Sequence, residues 1–97
     1  MTAYLIANIT VTDPERYQTY RAQTPPIVAQ YDGRFLVRAG AVHPLEGELG
    51  LNRLVIIEFP SLETAKQFYD SPDYAPLLKL RMESTQSQVA FVEGTTP

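Results

Sequence analysis

Apolar residues dominate four short segments of the chain, residues 4–11, 34–39, 53–59 and 88–93, and fall on alternate positions in most of them. A period of two is typical of β-strands that bury one face. The segments are also rich in branched and aromatic residues, which favour strands. The pattern therefore predicts four strands.

Helix signals occupy the stretch between the first two strands. Residues 12–14, Thr-Asp-Pro, supply a cap and a first-turn proline. The helix is expected to run to about Gln23, where Pro25 and Pro26 break or kink it before a further turn that reaches Tyr31.

A second helical region follows the third strand. Pro60 stops the strand and Ser61 caps a helix, and Ser71 with Pro72 starts a second piece whose first turn Pro76 makes irregular. The order β-α-β-β-α-β predicts an α+β, ferredoxin-like βαββαβ fold with a four-stranded antiparallel sheet.

Strand alternation divides the predicted sheet into two faces. The first face is wholly apolar and should lie under the helices: Leu5, Ala7, Ile9, Phe35, Val37, Ala39, Val55, Ile57, Phe59, Val89 and Phe91. The second face mixes apolar and polar residues: Tyr4, Ile6, Asn8, Arg34, Leu36, Arg38, Leu54, Ile56, Glu58, Gln88, Ala90 and Val92. We call this second face the open face.

The open face carries too much apolar surface to be left in water. The simplest cover is the same sheet from a second copy, so the sequence predicts a symmetric homodimer with two facing sheets that form a barrel. A monomer with an amphipathic outer face is the alternative.

Residues 40–51 contain three of the five glycines and form the predicted loop between the second and third strands. If this loop centres near Glu46, Arg34 lies opposite Glu58 and Arg38 lies opposite Leu54. Opposite charges that face each other across two strands stabilise the pairing.

Composition narrows the function classes. The 97 residues are expected to form one domain, residues 1–97, with 94–97 as a tail. A net charge of −3 argues against nucleic-acid and membrane partners. The absence of cysteine excludes disulfide bonds and thiolate metal sites. With one histidine, a multi-histidine site within one chain is also excluded. The N-terminal segment lacks a basic signal-peptide region, and we expect a cytoplasmic protein.

Several motifs together resemble a known family. They are residues 31–40 (YDGRFLVRAG), 45–47 (LEG), 53–61 (RLVIIEFPS), 68–74 (FYDSPDY), Arg81 and 92–94 (VEG). The chain is identified on these as a member of the small bacterial domain-of-unknown-function family thirteen-thirty, in the dimeric α/β barrel superfamily. The family more often has glycine pairs where this chain has Asp32-Gly33 and Ala39-Gly40.

The resemblance implies the fold and a dimer and names no reaction. The superfamily includes cofactor-free monooxygenases and isomerases. Fold alone does not transfer those chemistries.

Glu58, with Arg38 and Arg53, is the first candidate constellation. A carboxylate among aliphatic residues can have a raised pKa and abstract a proton next to a carbonyl, while arginine can hold a substrate carboxylate through two parallel hydrogen bonds. The alternative is a structural ion pair that fixes strand register. His43, in the loop, is a second candidate acid or base, with a solvated loop residue as its alternative.

Tyr69, Tyr74 and Arg81 flank the junction of the two helical pieces and are candidate ligand-binding residues, with amphipathic packing as the alternative. The sequence thus predicts a dimeric small-molecule domain with a cleft at each barrel end, with His43 at its mouth. Its ligand would be a small carbonyl or carboxylate compound. We expect no metal and no cofactor, and any catalysis would be cofactor-free proton transfer, isomerisation or oxygenation. A non-catalytic dimerisation or ligand-sensing module is the other hypothesis.

Overall fold

The computed structural model describes residues 1–95 of the 97. Its elements are β1 Ala3–Val11, α1 Pro14–Gln30, β2 Arg34–Arg38, β3 Arg53–Phe59, α2 Leu62–Tyr69, α3 Ala75–Ser84 and β4 Thr85–Glu93. The sheet has the strand order β2-β3-β1-β4 with antiparallel neighbours throughout. This arrangement confirms the predicted ferredoxin-like α+β fold. Of the predicted tail, 96 and 97 lie outside the described residues.

Helix α1 is longer than the sequence indicated. Asp13 caps it by accepting a 3.2 Å hydrogen bond from the Arg16 amide, and the helix then continues through Pro25 and Pro26 to Gln30. Of the two predicted alternatives, the break at Pro25 and Pro26 is therefore wrong, whereas the helical residues extend to Gln30, next to the predicted Tyr31.

The proline pair removes two amide donors from α1, so the carbonyl oxygens four residues earlier lose their helical partners. One of these, the Arg21 oxygen, accepts a hydrogen bond from the Arg38 guanidinium of β2. The helix survives in part because the sheet supplies a replacement donor.

A serine precedes each piece of the second helical region, but only Ser61 caps a helix. The Ser61 hydroxyl accepts from the Thr64 amide at 3.1 Å and caps α2. The Ser71 hydroxyl donates to the Phe68 oxygen at 2.8 Å and accepts from the Tyr74 amide at 3.1 Å, which holds the turn between α2 and α3. Helix α3 starts at Ala75, so the predicted start at Ser71 and Pro72 is wrong, because these residues form the turn before it. Pro76 lies in the first turn of α3, where a missing amide costs least.

The two central strands follow the predicted alternation, whereas β2 does not. Arg34 lies opposite Glu58, as expected, and Phe35 opposite Ile57. The register then shifts by one residue, so Leu36 has no partner and Arg38 lies opposite Val55.

This bulge corrects two expectations about the faces. Arg38 was expected on the open face opposite Leu54, but lies on the helix-covered face with Val55. Val37 was expected under the helices, but lies opposite Ile56 of the open face. The inserted residue thus reverses the faces of Val37 and Arg38.

The core fills the space between the sheet and the helices, where Phe59, Phe68 and Val28 are almost fully buried. Gly33 sits against this core so closely that an added Cβ would lie 2.7 Å from the Phe59 ring and 2.8 Å from the Val28 side chain. Only a glycine lets the chain turn from α1 into β2 at this distance.

The open face stays partly in contact with water in the single chain. Its central residues Tyr4, Ile6 and Ile56 are half-buried, while Leu36 and Val92 are each 46% exposed. None of the helices within residues 1–95 combines the length and the apolar character needed to cross a membrane.

Candidate functional site

A pocket opens between the helices and the covered face of the sheet; its cavity volume is about 30 Å³, and it continues into solvent at its mouth. Strand residues form its apolar floor: Leu5, Ala7, Ile9, Val55, Ile57 and Val89. Polar side chains reach it from the helices and from the ends of β2 and β3. An apolar cavity with a few converging polar groups is the usual form of a small-molecule site.

Arg81 is the most buried charged residue of this pocket. It lies on α3 with only 4% of its surface exposed, and its guanidinium donates a 3.1 Å hydrogen bond to the Tyr69 hydroxyl. The junction between α2 and α3 makes this contact possible, because Tyr69 ends one helix and Arg81 lies within the next.

A pair of tyrosine hydroxyls lies beside Arg81. The hydroxyls of Tyr20, on α1, and Tyr74, just before α3, are 2.8 Å apart and hydrogen-bonded. Burial, reinforced by Tyr74, raises the pKa of Tyr20 well above its ordinary value. Burial opposes the charge on Arg81, but its contacts with Tyr74, Tyr20 and Tyr69 outweigh this and leave the pKa of Arg81 raised. The pocket thus holds a buried cation among neutral phenols.

Two further arginines lie near the mouth of the pocket, each against an aromatic ring. The Arg38 guanidinium is 5.0 Å from the centre of the Phe35 ring, and that of Arg53 is 5.6 Å from the Tyr17 ring. A guanidinium within about 6 Å of a ring centre is attracted to the ring.

All the charged side chains that line the pocket are positive. Four arginines line it, the fourth being Arg21, and no aspartate or glutamate does. The ion pairs found within residues 1–95 are Arg16–Glu83 and Arg34–Glu58, and both lie elsewhere. A chain of net charge −3 therefore concentrates positive charge in one cavity.

The five predicted ligand-binding residues all line this pocket: Arg38, Arg53, Tyr69, Tyr74 and Arg81. Arg38 arrives there through the bulge and not through the predicted alternation.

The two weak catalytic candidates lie elsewhere. Glu58 is on the opposite face of the sheet, where it accepts a 2.8 Å hydrogen bond from Arg34. His43 lies in the exposed segment between β2 and β3 and borders a separate groove with Leu45 and Leu49. Neither residue lines the pocket that contains the arginines.

Helix α1 supplies pocket residues that were not predicted as site residues. Tyr17, Tyr20, Arg21 and Thr24 all line the cavity. Their spacing of three, four and seven places them on one helix face, and an arginine within such a face is the signal that could have revealed them. No group of three or more histidine, cysteine or acidic side chains within residues 1–95 is arranged to hold a metal ion.

A family model described as "Domain of unknown function (DUF1330)" matches residues 2–95 of this chain. The chain belongs to this family. No curated protein matches the chain by sequence.

Solved structures similar to this DUF1330 domain share its fold at low sequence identity. A protein of unknown function from Rhodopseudomonas palustris has a TM-score of 0.78 and 16% identity, over 99% of this chain and 84% of its own. SnoaB, a cofactor-independent oxygenase from Streptomyces nogalater, has a TM-score of 0.66 and 14% identity, over 99% and 95%. A dimeric ferredoxin-like protein of unknown function from Jannaschia sp. CCS1 has a TM-score of 0.69 and 10% identity, over 97% and 100%. At these identities the likeness shows the fold alone.

Proposed function

We propose that this DUF1330 domain binds a small organic anion, a carboxylate or an enolate, in the pocket between its sheet and its helices. The observation that carries the proposal is the environment of Arg81, which is 4% exposed and contacts phenol hydroxyls. The phenols that offset the burial of this guanidinium are neutral, so no counter-charge lines the pocket with it. A ligand anion would supply the counter-charge and would gain charge-assisted hydrogen bonds.

The tyrosine hydroxyls near Arg81 can donate hydrogen bonds to a ligand. The Tyr69 hydroxyl accepts from Arg81, so its own proton is available to donate to a further acceptor. In the same way, the hydroxyl pair of Tyr20 and Tyr74 retains one proton that the pair itself does not use. A ligand oxygen would meet neutral donors backed by a cation, which favours an anionic oxygen over a neutral one.

We further propose that the domain works as a homodimer closed through the open face. The half-buried Tyr4, Ile6 and Ile56, with the exposed Leu36 and Val92, form an apolar area that a second copy would cover. The Arg34–Glu58 ion pair neutralises the charges of this face within one chain, so two copies can approach without like-charge repulsion. The dimeric protein from Jannaschia offers a precedent on the same fold.

We propose in addition that the pocket catalyses a reaction of the ligand it binds. The pocket can stabilise a developing oxyanion, the electrostatic role that is often the largest single contribution to catalysis. SnoaB is a cofactor-independent oxygenase on this fold, and cofactor-free oxygenation, isomerisation or proton transfer on a small carbonyl compound is the corresponding activity here.

A specific observation favours the second candidate, a non-catalytic ligand-sensing module. The pocket lining contains no histidine, aspartate or glutamate, so the chain offers no ordinary general base there. Turnover would be restricted to carbonyl compounds acidic enough to lose a proton to water once the anion is stabilised.

Isothermal titration calorimetry with benzoate, phenylacetate and acetylacetonate tests the binding proposal. At least one anion should bind, and Arg81→Met should weaken it about tenfold or more, the worth of a charged hydrogen bond. Arg16→Met removes an exposed arginine on α1 and serves as the matched control. Absence of binding, or equal affinities for the parent and Arg81→Met, would refute the proposal.

Deuterium exchange at the acidic carbon of bound acetylacetone separates the two candidates. Exchange that the protein accelerates and Arg81→Met abolishes supports catalysis. Tight binding at the uncatalysed exchange rate supports the sensing module.

A further inference from the structure

The bulge in β2 brings two arginines together at the mouth of the pocket. After the unpaired Leu36, Arg38 lies opposite Val55, and Arg53 lies two residues before Val55 on the same face of β3. Diagonal neighbours of this kind are about 7–8 Å apart at their Cα atoms. Without the bulge, Arg38 would lie on the open face and the two guanidinium groups would be separated by the sheet.

Each guanidinium group has an aromatic ring beside it, Phe35 for Arg38 and Tyr17 for Arg53. A guanidinium recognises a carboxylate through its N–H groups, and attraction to a ring does not consume those donors. One terminal nitrogen of Arg38 donates a hydrogen bond to the Arg21 carbonyl oxygen, and the other guanidinium N–H groups can donate to a ligand.

The backbone next to Arg38 is in an unfavourable conformation. Ala39, which also lines the pocket, has φ of +59°, in the left-handed region that non-glycine residues avoid. Irregular backbone of this kind is concentrated at functional sites, where the surrounding structure maintains it. Bulge and strained residue together fix the direction of the Arg38 side chain.

The two arginines line the same pocket, and no acidic residue lines it with them. Placing like charges side by side is unfavourable unless an anion lies between them. Arg38 is exposed and Arg53 half-buried, in contrast to the buried Arg81. The pocket therefore has an inner and an outer positive region, with apolar strand residues along its floor.

We propose that Arg38 and Arg53 form a second anion-binding point, so that the ligand is a diacid: one acidic group at Arg81, an apolar or aromatic middle, and a second acidic group at the mouth. This inference rests on the proposed function of the pocket and names its ligand class. The outer point adds affinity for molecules that reach both positions, and it discriminates against monoacids.

Matched monoacids and diacids test this inference. The affinities of benzoate, isophthalate and terephthalate, and of pentanoate and glutarate, are measured by isothermal titration calorimetry at low and moderate salt. At least one diacid should bind about tenfold or more tightly than its monoacid, the increment expected for an added charge-assisted contact. Its affinity should also fall more steeply with salt.

Variants of Arg38 and Arg53 test whether these residues cause the higher affinity of the diacid. Arg53→Gln and, separately, Arg38→Gln should reduce diacid affinity about tenfold, to near that of the monoacid, and should reduce monoacid affinity far less. Arg53→Lys keeps the charge but loses the planar fork, and should retain only part of the increment. Arg16→Gln, on the outer surface of α1, should change neither affinity.

The outcomes are distinguishable. If monoacids bind and diacids bind no better, the outer point is refuted while the proposed function stands. If the diacid preference persists in both glutamine variants, its cause lies elsewhere and the inference fails. If neither class binds the parent, the pocket proposal and this inference fall together. Melting curves of each variant confirm that the comparison is between folded proteins.

Discussion

The guanidinium of Arg38 donates a hydrogen bond to the carbonyl oxygen of Arg21, an oxygen that Pro25 leaves without its helical donor. A side chain from the edge strand thus completes the hydrogen bonding of the first helix. The contact ties the mouth of the pocket to α1, since both arginines line that mouth.

This relationship predicts energetic coupling between Pro25 and Arg38. Pro25→Ala restores an amide that competes for the Arg21 oxygen and relieves a mid-helix proline, so the variant should be more stable. Arg38→Ala should then cost about 1 kcal/mol less in the Pro25→Ala background than in the parent. Urea unfolding of the parent, both single variants and the double variant measures the coupling, and additive free energies would contradict it.

The backbone conformation of Ala39 predicts that Ala39→Gly stabilises the fold. Its φ of +59° costs an L-residue about 1–2 kcal/mol, whereas glycine adopts it freely. We expect Ala39→Gly to stabilise the fold by up to about 1 kcal/mol, since greater freedom in the unfolded state offsets part of the gain. Ala41→Gly, two residues along, lacks a positive φ and should be neutral or slightly destabilising. Thermal unfolding compares them, and equal shifts would contradict the strain argument.

The open face predicts that one charge can separate the proposed dimer. Ile56→Asp places an unpaired carboxylate in the centre of the face and should convert a dimer at micromolar concentration into a folded monomer. Met82→Asp, at a 63% exposed site on α3, should leave the dimer intact. Sedimentation velocity gives the masses and circular dichroism confirms folding. A parent that already sediments as a monomer would refute the dimer, and a dimeric Ile56→Asp would place its interface elsewhere.

Tyr20 predicts a loss of stability in alkali. Burial raises its pKa in the folded protein above the ordinary value of 10.0, so above that pH the unfolded chain loses the proton and the folded chain keeps it. Below about pH 10, Tyr20 makes its full contribution to the free energy of unfolding. As pH rises toward the folded-state pKa, that free energy falls by up to about 1.4 kcal/mol per pH unit because of this group. In urea unfolding between pH 9.5 and 11.5, Tyr20→Phe should show a shallower decline than the parent. Parallel curves would contradict this assignment.

The sequence was sufficient for the fold because local signals and face patterns agreed. Ser61 and Asp13 cap the helices that their positions predicted, and β1 and β3 alternate as expected. It was insufficient where a single residue changes register. Nothing in residues 34–39 marks Leu36 as the inserted position, so Arg38 was assigned to the wrong face.

The candidate site was predictable in part for the same reason. Tyr69, Tyr74 and Arg81 are close in sequence, and their grouping follows from the helix junction. Tyr20 joins them only through tertiary packing, across 54 residues, and its hydroxyl contact with Tyr74 has no local signal. Whether α1 breaks at Pro25 and Pro26 could not be decided from the sequence, because the replacement donor, Arg38, comes from another element.

The bulge at Leu36 also bears on unwanted fibre growth. Strand β2 lies at the margin of the sheet, and a straight strand in that position is a template on which further chains can add. An inserted residue twists the strand and breaks the even spacing of its outward amides and carbonyls, which makes it a poor template. Removing Leu36 to straighten the strand would therefore carry a solubility penalty as well as a change of face.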